Sequence, residues 1–509
     1  MANTVIGNVG DRATLNYAGQ NTLIKCNIIS MNTDASVDVS DMIYQIELYE
    51  DIMSPFMSGK IVLVDTYNLP GLFPILGEEM FELEYKTPSL DSVSKLFYIY
   101  SLSDRKFQGL TKTAYELSFM SMEGYNDLSQ RVSAAYSGTP STIIQSVFDK
   151  YLKTEVDKKE EADTGAPTLV IEQSTNDIKF ISNFWNPSKI ITYATSLAQY
   201  NSKKPEISNF LFFESTQGFW FSPLDQLYAQ PAVFDFVFDA STGRQSDGMG
   251  GTIEDVDKQY RLIQNFEVLD TFDFLKRSMS GALSHQVFEY NLLNKRWSGI
   301  GNRIADKENS TAPEGDPKGT PWWNGPRKSK DKLNETQGAD DVGGYYYNSH
   351  YFSDFGNTEH LGEGVLQGQY ISWNDVNSKI STKITHSSAH TGVIDASADI
   401  LTKRASLLAQ TEMVRFRITV MGRSDLDVGA CVNIQFPSFT QMHTKTMTGK
   451  DAFPTDEKDN PYDEYWTGKY LITNIRHTIT GADHMAIIDV CRESLTKDFV
   501  YTEPGEAIS

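Results

Sequence analysis

The sequence predicts a mainly β fold with α+β parts, built around two similar small antiparallel β-units. Three observations predict it. Short alternating segments fill residues near 23–130 and return from Arg261. The chain carries 25 Tyr and 28 Phe, residues that fit a pleated, half-buried surface. Most informative is an echo. GEEMFELEYKTP from Gly77, KLFYIYSL from Lys95 and AYELSFMSM from Ala114 find counterparts in GACVNIQFP from Gly429, GKYLITNIRHTI from Gly468 and HMAIIDVCRES from His484. Each copy has a glycine turn, an alternating strand ending in proline, and two further strands. Val432, Ile434 and Phe436 mirror Phe81, Leu83 and Tyr85, with the glycine offset by one residue.

Each element follows from local pattern. In IYQIELYED, Tyr44, Ile46 and Leu48 share one face and Gln45 and Glu47 the other, the period of a half-buried strand. KIVLVD, FELEYK, LFYIYSL and YELSFM complete about six short strands, enough for a small barrel or sandwich. TPSTIIQSVFDKYLK predicts a helix entered through Pro140, with Ile143, Ile144, Val147, Phe148 and Tyr151 on its apolar side. A second helix starts at Asn186–Pro187 and aligns Ile190, Ile191, Ala194, Leu197 and Ala198. NFLFFESTQGFWFSPLDQL reads as a hairpin turning at Gly218. Residues 298–345 are rich in Gly, Pro, Asn, Asp and Lys, which marks a functional extension or a disordered stretch. Its aromatics Trp322, Trp323, Tyr345, Tyr346 and Tyr347 are candidate interface anchors, with packing onto their own domain as the alternative. Farther on, a helix around Ile400–Ala409 leads into a strand with Val414, Phe416, Ile418 and Val420 inward and Arg415 and Arg417 outward.

Composition narrows the chemistry. A net charge of −22 argues against general binding to nucleic-acid backbone, though an acidic wall would let DNA slide past without sticking. No apolar run approaches the ~20 residues of a membrane span, and the N-terminus lacks the pattern of a secretion signal. Cys26, Cys431 and Cys491 are too scattered for a disulfide framework and read as buried thiols. The sequence contains no GxSxG and no phosphate-binding glycine loop. His386 and His390 have helical spacing, but Ser387 stands where a zinc protease needs glutamate. Glu82 and Glu84 lie on the outer face of a strand, a solvated pair rather than a glycosidase pair. His477 and His484 flank a turn at Gly481 and read as structural. The expectation is a non-enzymatic protein with no catalytic residues, metal or cofactor.

Taken in order, IYQIELYEDIMSPFMSGKIVLVD with GEEMFELEYKTP, NPSKIITYATSLA with NFLFFESTQGFWFSPLDQL, and GKYLITNIRHTITGADHMAIIDVCRE resemble the baseplate hub proteins of contractile-tail bacteriophages. That family is also related to the N-terminal part of type VI secretion spikes. The resemblance implies two similar small antiparallel β-barrel domains, the second one discontinuous: residues 1–130, then 257–297 joined with 400–495. It implies an intervening α+β domain at 131–256, an insertion at 298–399 and a C-terminal tail at 496–509. It further implies a homotrimer whose pseudo-six-fold ring adapts a hexameric tail tube to a trimeric central spike and lets DNA through its channel. Expected partners are the chain itself, the tube ring, the spike, baseplate wedge or hub-adaptor proteins and the tape measure protein. The expected location is the virion tail, assembled in the host cytoplasm. Two other readings are a wall-degrading or carbohydrate-active tail enzyme, and a receptor-binding tail protein.

Overall fold

The computed structural model describes residues 17–30, 35–73, 75–88, 90–108, 112–154, 157, 168–200, 208–238, 253–271, 284–291, 296–303, 379–385, 404, 408, 411, 414–436, 463 and 466–492. The protein is mainly β, and most strands join one 13-stranded sheet. Its N-terminal half holds β1 (Thr22–Ser30), β2 (Ser36–Asp38), β3 (Ile43–Asp51), β4 (Ser58–Asp65), β5 (Glu79–Lys86), β6 (Val93–Gln108) and β7 (Lys112–Ser121). These lie side by side as β3–β4–β7–β6–β5–β1–β2, every pair antiparallel.

Period-two burial explains why they curl. Ile61 and Leu63 of β4, Phe81, Leu83 and Tyr85 of β5, and Tyr115, Leu117 and Phe119 of β7 all point into one core with Cys26 and Ile28 of β1. One expected residue differs. Tyr44 is 59% exposed, because a register shift between Ile43 and Gln45 turns it away from Ile46 and Leu48.

Between these and the C-terminal strands lie β8 (Ala135–Gly138), β9 (Leu169–Ile171), β10 (Ile178–Ile181), β11 (Phe210–Ser215), β12 (Gly218–Pro223) and β13 (Ala232–Val237). The helix Pro140–Val147 begins as its sequence suggests. Thr139 caps it by accepting from the Thr142 N–H, and Pro140 fills the position whose N–H needs no partner. The helix Pro187–Leu197 is capped from a distance: Ser188 N and Oγ donate to the Asp127 carboxylate at 2.5 and 2.7 Å. Both helices pack with β11 and β12 on a separate core containing Ile144, Phe148, Ile191, Phe210 and Phe221. Gly218, at φ +138°, makes the tight β11–β12 turn.

The remaining strands are β14 (Asn265–Thr271), β15 (Ser284–Asn291), β16 (Arg296–Arg303), β17 (Lys379–Thr385), β18 (Val414–Met421), β19 (Cys431–Gln435), β20 (Gly468–Thr480) and β21 (Asp483–Arg492). β15, β16 and β17 form their own three-stranded sheet. The others continue the large sheet as β14–β18–β21–β20, with β19 on β20 and β13 parallel to β19. They enclose a core of Phe416, Ile418, Val432, Ile434, Tyr470, Ile488 and Val490, closed by Val256, Tyr260 and Ile263 in and just after the helix Ile253–Arg261.

Closed barrels are absent among the described residues, which corrects that expectation. The physical reason lies at β3. The edge that would have to meet β1 and β2 to close the first half pairs instead with β20. Two curled half-sheets therefore merge into one continuous sheet with two cores.

Candidate assembly interface

The two halves of the sheet share a strand order. β3, β4, β5, β6 and β7 are joined as β3–β4–β7–β6–β5; β14, β18, β19, β20 and β21 are joined as β14–β18–β21–β20–β19. All eight ladders are antiparallel. The registers agree as well. Phe81 faces Phe97 and Leu83 faces Lys95; in the other half, Val432 faces Tyr470 and Ile434 faces Gly468. Just past the last β5 partner, β6 bulges between Ile99 and Ser101. Just past the last β19 partner, β20 bulges between Ile472 and Asn474. Tyr100 and Thr473 are thus the extra residues of two matching bulges, features that re-aim a strand at a fixed point.

Comparison with solved structures finds tail proteins among those similar to this chain. The chain is similar to the tail protein from Neisseria meningitidis MC58, at 9% identity over 92% of this chain and 96% of that one, with a TM-score of 0.45. It is similar to the prophage MuSo2 43 kDa tail protein from Shewanella oneidensis at 8% identity, 92% and 98% coverage, and a TM-score of 0.45. The E. coli c3393 protein, a component of the type VI secretion system, matches at 6% identity, 95% and 77% coverage, and a TM-score of 0.36. No protein-family model matches the chain, and no curated protein matches its sequence.

The halves meet where β3 lies along β20 beyond the bulge, from Asn474 opposite Asp51 to Ile479 opposite Ile46. Ile46 and Ile479 are fully buried. On the outer side, Glu47 binds Arg476 and Tyr49, and these bonds hold its carboxyl below the usual range although burial pushes the other way. On the inner side runs a buried polar chain. His477 Nε2–H donates to Glu50 Oε1 at 3.1 Å, and His484 Nε2–H donates to His477 Nδ1 at 3.0 Å, the tautomers that give Glu50 a donor. Burial, then the neighbouring His477, pushes the His484 pKa well below its ordinary value, so its ring stays neutral. The Tyr85 ring stands edge-on to His484, with centroids 5.8 Å apart.

A second buried carboxyl, Asp427, accepts from Thr216 Oγ1 and Gln217 Nε2, tying the β11–β12 turn to the C-terminal half. Burial, and then the nearby Glu50, push its pKa up to about 7. An unfolded Asp titrates near ~3.9, so the folded chain holds an extra proton between the two values. Stability from this group is therefore greatest below about pH 4 and falls as pH rises through about 7. Asp427→Asn cannot ionise. In urea denaturation we expect its stability to decline less than that of the parent chain between pH 5 and pH 8.

Two strand edges complete the geometry. β14 pairs with β18 on one side, and among the described residues no strand lies on the other. β6 beyond the Tyr100 bulge pairs with β7 on one side, through a second register shift between Ser103 and Lys106, and among the described residues no strand lies on the other. Phe107 there is 76% exposed.

Trp322, Trp323, Tyr345, Tyr346 and Tyr347 lie outside the described residues, as do His386 and His390. Glu82 and Glu84 face outward and both pair with Lys25, at 3.2 and 3.5 Å. The three cysteines are buried. Among the described residues, no group of three or more His, Cys, Asp or Glu is placed to hold a metal ion, and no helix is long and apolar enough to cross a membrane. The sequence reading missed Glu50 and Asp427. Glu50 carried a signal: it continues the inward series Ile46, Leu48, Glu50, where a carboxyl needs a buried partner.

Proposed function

We propose that the chain is a structural baseplate hub of a contractile tail. Three copies form a ring with six similar docking units, which adapts a hexameric tail tube to a trimeric spike. One observation supports this above all: a single chain carries the same five-strand order twice, with the same bulge in the same place. Three subunits with one docking face each leave half of a six-fold ring unmatched; two quasi-equivalent units per subunit supply six. On this reading residues 1–130 and residues 257–297 with 400–495 are the two docking units, 131–256 stand between them, 298–399 are an insertion and 496–509 a tail. The net charge of −22 suits a channel that DNA crosses without adhering. The spike, the tube ring, wedge or hub-adaptor proteins and the tape measure protein are the proposed partners, the virion tail is the proposed location, and the proposed role is non-enzymatic.

Mass photometry of the purified chain tests the stoichiometry, with cryo-EM of the assembled tail as the second view. Three chains per particle is the expected result. A hexamer of this chain, or a stable monomer in the assembled baseplate, overturns the reading.

A further inference from the structure

We propose that β14 of one copy adds as a strand to the outer flank of β6 in the next copy, repeating between chains the junction that β3 and β20 make within one. The number of chains in the ring rests on the hub reading above; the strand pairing does not.

The argument is a transfer of register. Ser118 of β7 and Asp489 of β21 hold matching places, each opposite the residue that follows the bulge. Counting five residues back reaches Thr113 and His484, whose partners are Phe107 in β6 and Ile479 in β20. In the ladder Phe107 therefore occupies the place of Ile479, reached in β6 through one residue more, which a second bulge between Ser103 and Lys106 takes up. Across the other ladders, Ile46 faces Ile61 and Ile61 faces Leu117, while Phe266 faces Ile418 and Ile418 faces Ile488. Phe266 therefore occupies the place of Ile46, and one residue on, Glu267 occupies that of Glu47.

Within the chain, Ile46 faces Ile479 and Glu47 faces Thr478. Carried over to two copies, Phe266 faces Phe107 and Glu267 faces Lys106. Both pairs are chemically matched, one aromatic with aromatic, the other acid with base. Exposure points the same way. Ile46 and Ile479 are fully buried by their junction, whereas Phe107, at 76%, is the most exposed large apolar side chain among the described residues. Leu48 is 1% exposed and its counterpart Val268 is 43% exposed. Lys106 and Glu267 are exposed as well. An unpaired strand edge that carries an exposed aromatic ring can accept another strand, and addition of one from a second chain satisfies its backbone and covers the ring. The occupant is another copy of this chain because the matching strand is already built here, in β3 against β20, and because Phe266 and Glu267 of β14 complement Phe107 and Lys106. The contact is head-to-tail, so it propagates from copy to copy until a ring closes.

Residues directly opposite in an antiparallel pair have Cα atoms about 4.5–5.5 Å apart, within disulfide reach. The test uses Lys106→Cys and Glu267→Cys as separate full-length variants, since both side chains are exposed and the native cysteines are buried. Mild oxidation of the two variants mixed should give disulfide-linked dimers, and neither variant alone should. Lys106→Glu should weaken association about tenfold or more by setting like charges opposite each other, and adding Glu267→Lys should restore it. A trimer without the mixed cross-link overturns the strand pairing and leaves the hub reading intact. A mixed cross-link within a particle of some other stoichiometry supports the pairing and overturns the three-chain reading. A chain that stays monomeric with no cross-link overturns both.

Discussion

His477→Ala is expected to destabilise the protein by about 3–5 kcal/mol, the cost of removing one partner from a buried polar pair. His477 is 1% exposed and stands between two buried groups, donating to Glu50 and accepting from His484. Without it the Glu50 carboxyl, itself fully buried, keeps no partner, because its second oxygen already lacks one. The loss should therefore be felt in both halves of the sheet at once, as a lower thermal midpoint together with faster proteolysis of each half. Adding Glu50→Leu to His477→Ala should recover part of the loss, because deleting both polar partners costs less than stranding one. If the double variant is no more stable than His477→Ala alone, the polar chain is not what holds the seam.

Gly59→Ala is the second large effect, expected at about 3 kcal/mol or more, the upper end for overpacking a core. Gly59 lies in the middle of β4, opposite Leu48 on β3 and Phe119 on β7. A Cβ there would sit 2.4 Å from the Glu47 carbonyl oxygen and 2.5 Å from the Phe119 ring. The first contact is backbone in a ladder. The second is a ring wedged against Phe81 and Phe97, with centroids 5.2 and 4.8 Å away. Neither can retreat. The matching positions in the other half are Phe416 opposite Val490, so bulk has been exchanged between neighbouring strands at constant layout. Gly481→Ala provides the contrast in the same thermal-melt series. It has open space around it and only a left-handed φ of +60° to strain, so its cost should be near 1–2 kcal/mol. Equal losses for the two variants would remove the packing argument at Gly59.

The sequence made the strands and helices legible because alternation and capping are local. Phe81, Leu83 and Tyr85 announce one face of β5, and Thr139–Pro140 announces the start of a helix, without reference to anything distant. The correspondence with Val432, Ile434 and Phe436 was visible for the same reason. What sequence could not supply was the edge of β3. Its partner Ile479 lies more than four hundred residues away, and a strand with one occupied edge looks the same in sequence whichever strand occupies the other. Hence the expectation of closed barrels, and hence the missed pairing of Glu50 with His477. The flip of Tyr44 was hidden too, since a bulge changes the count of residues without changing their types.

The β14–β18 pair has a consequence for how such a chain can vary. Thr271 faces Val414, so the chain leaves the sheet and returns to it at neighbouring positions after a detour of well over a hundred residues. In the matching β3–β4 pair the detour is only Ile52–Met57. To the sheet these are the same hairpin with different handles. Each doubling of a connecting loop adds only about 0.6 kcal/mol of closure entropy. That makes this corner a socket: whole modules can be exchanged there, while every ladder that sets the assembly geometry keeps its register.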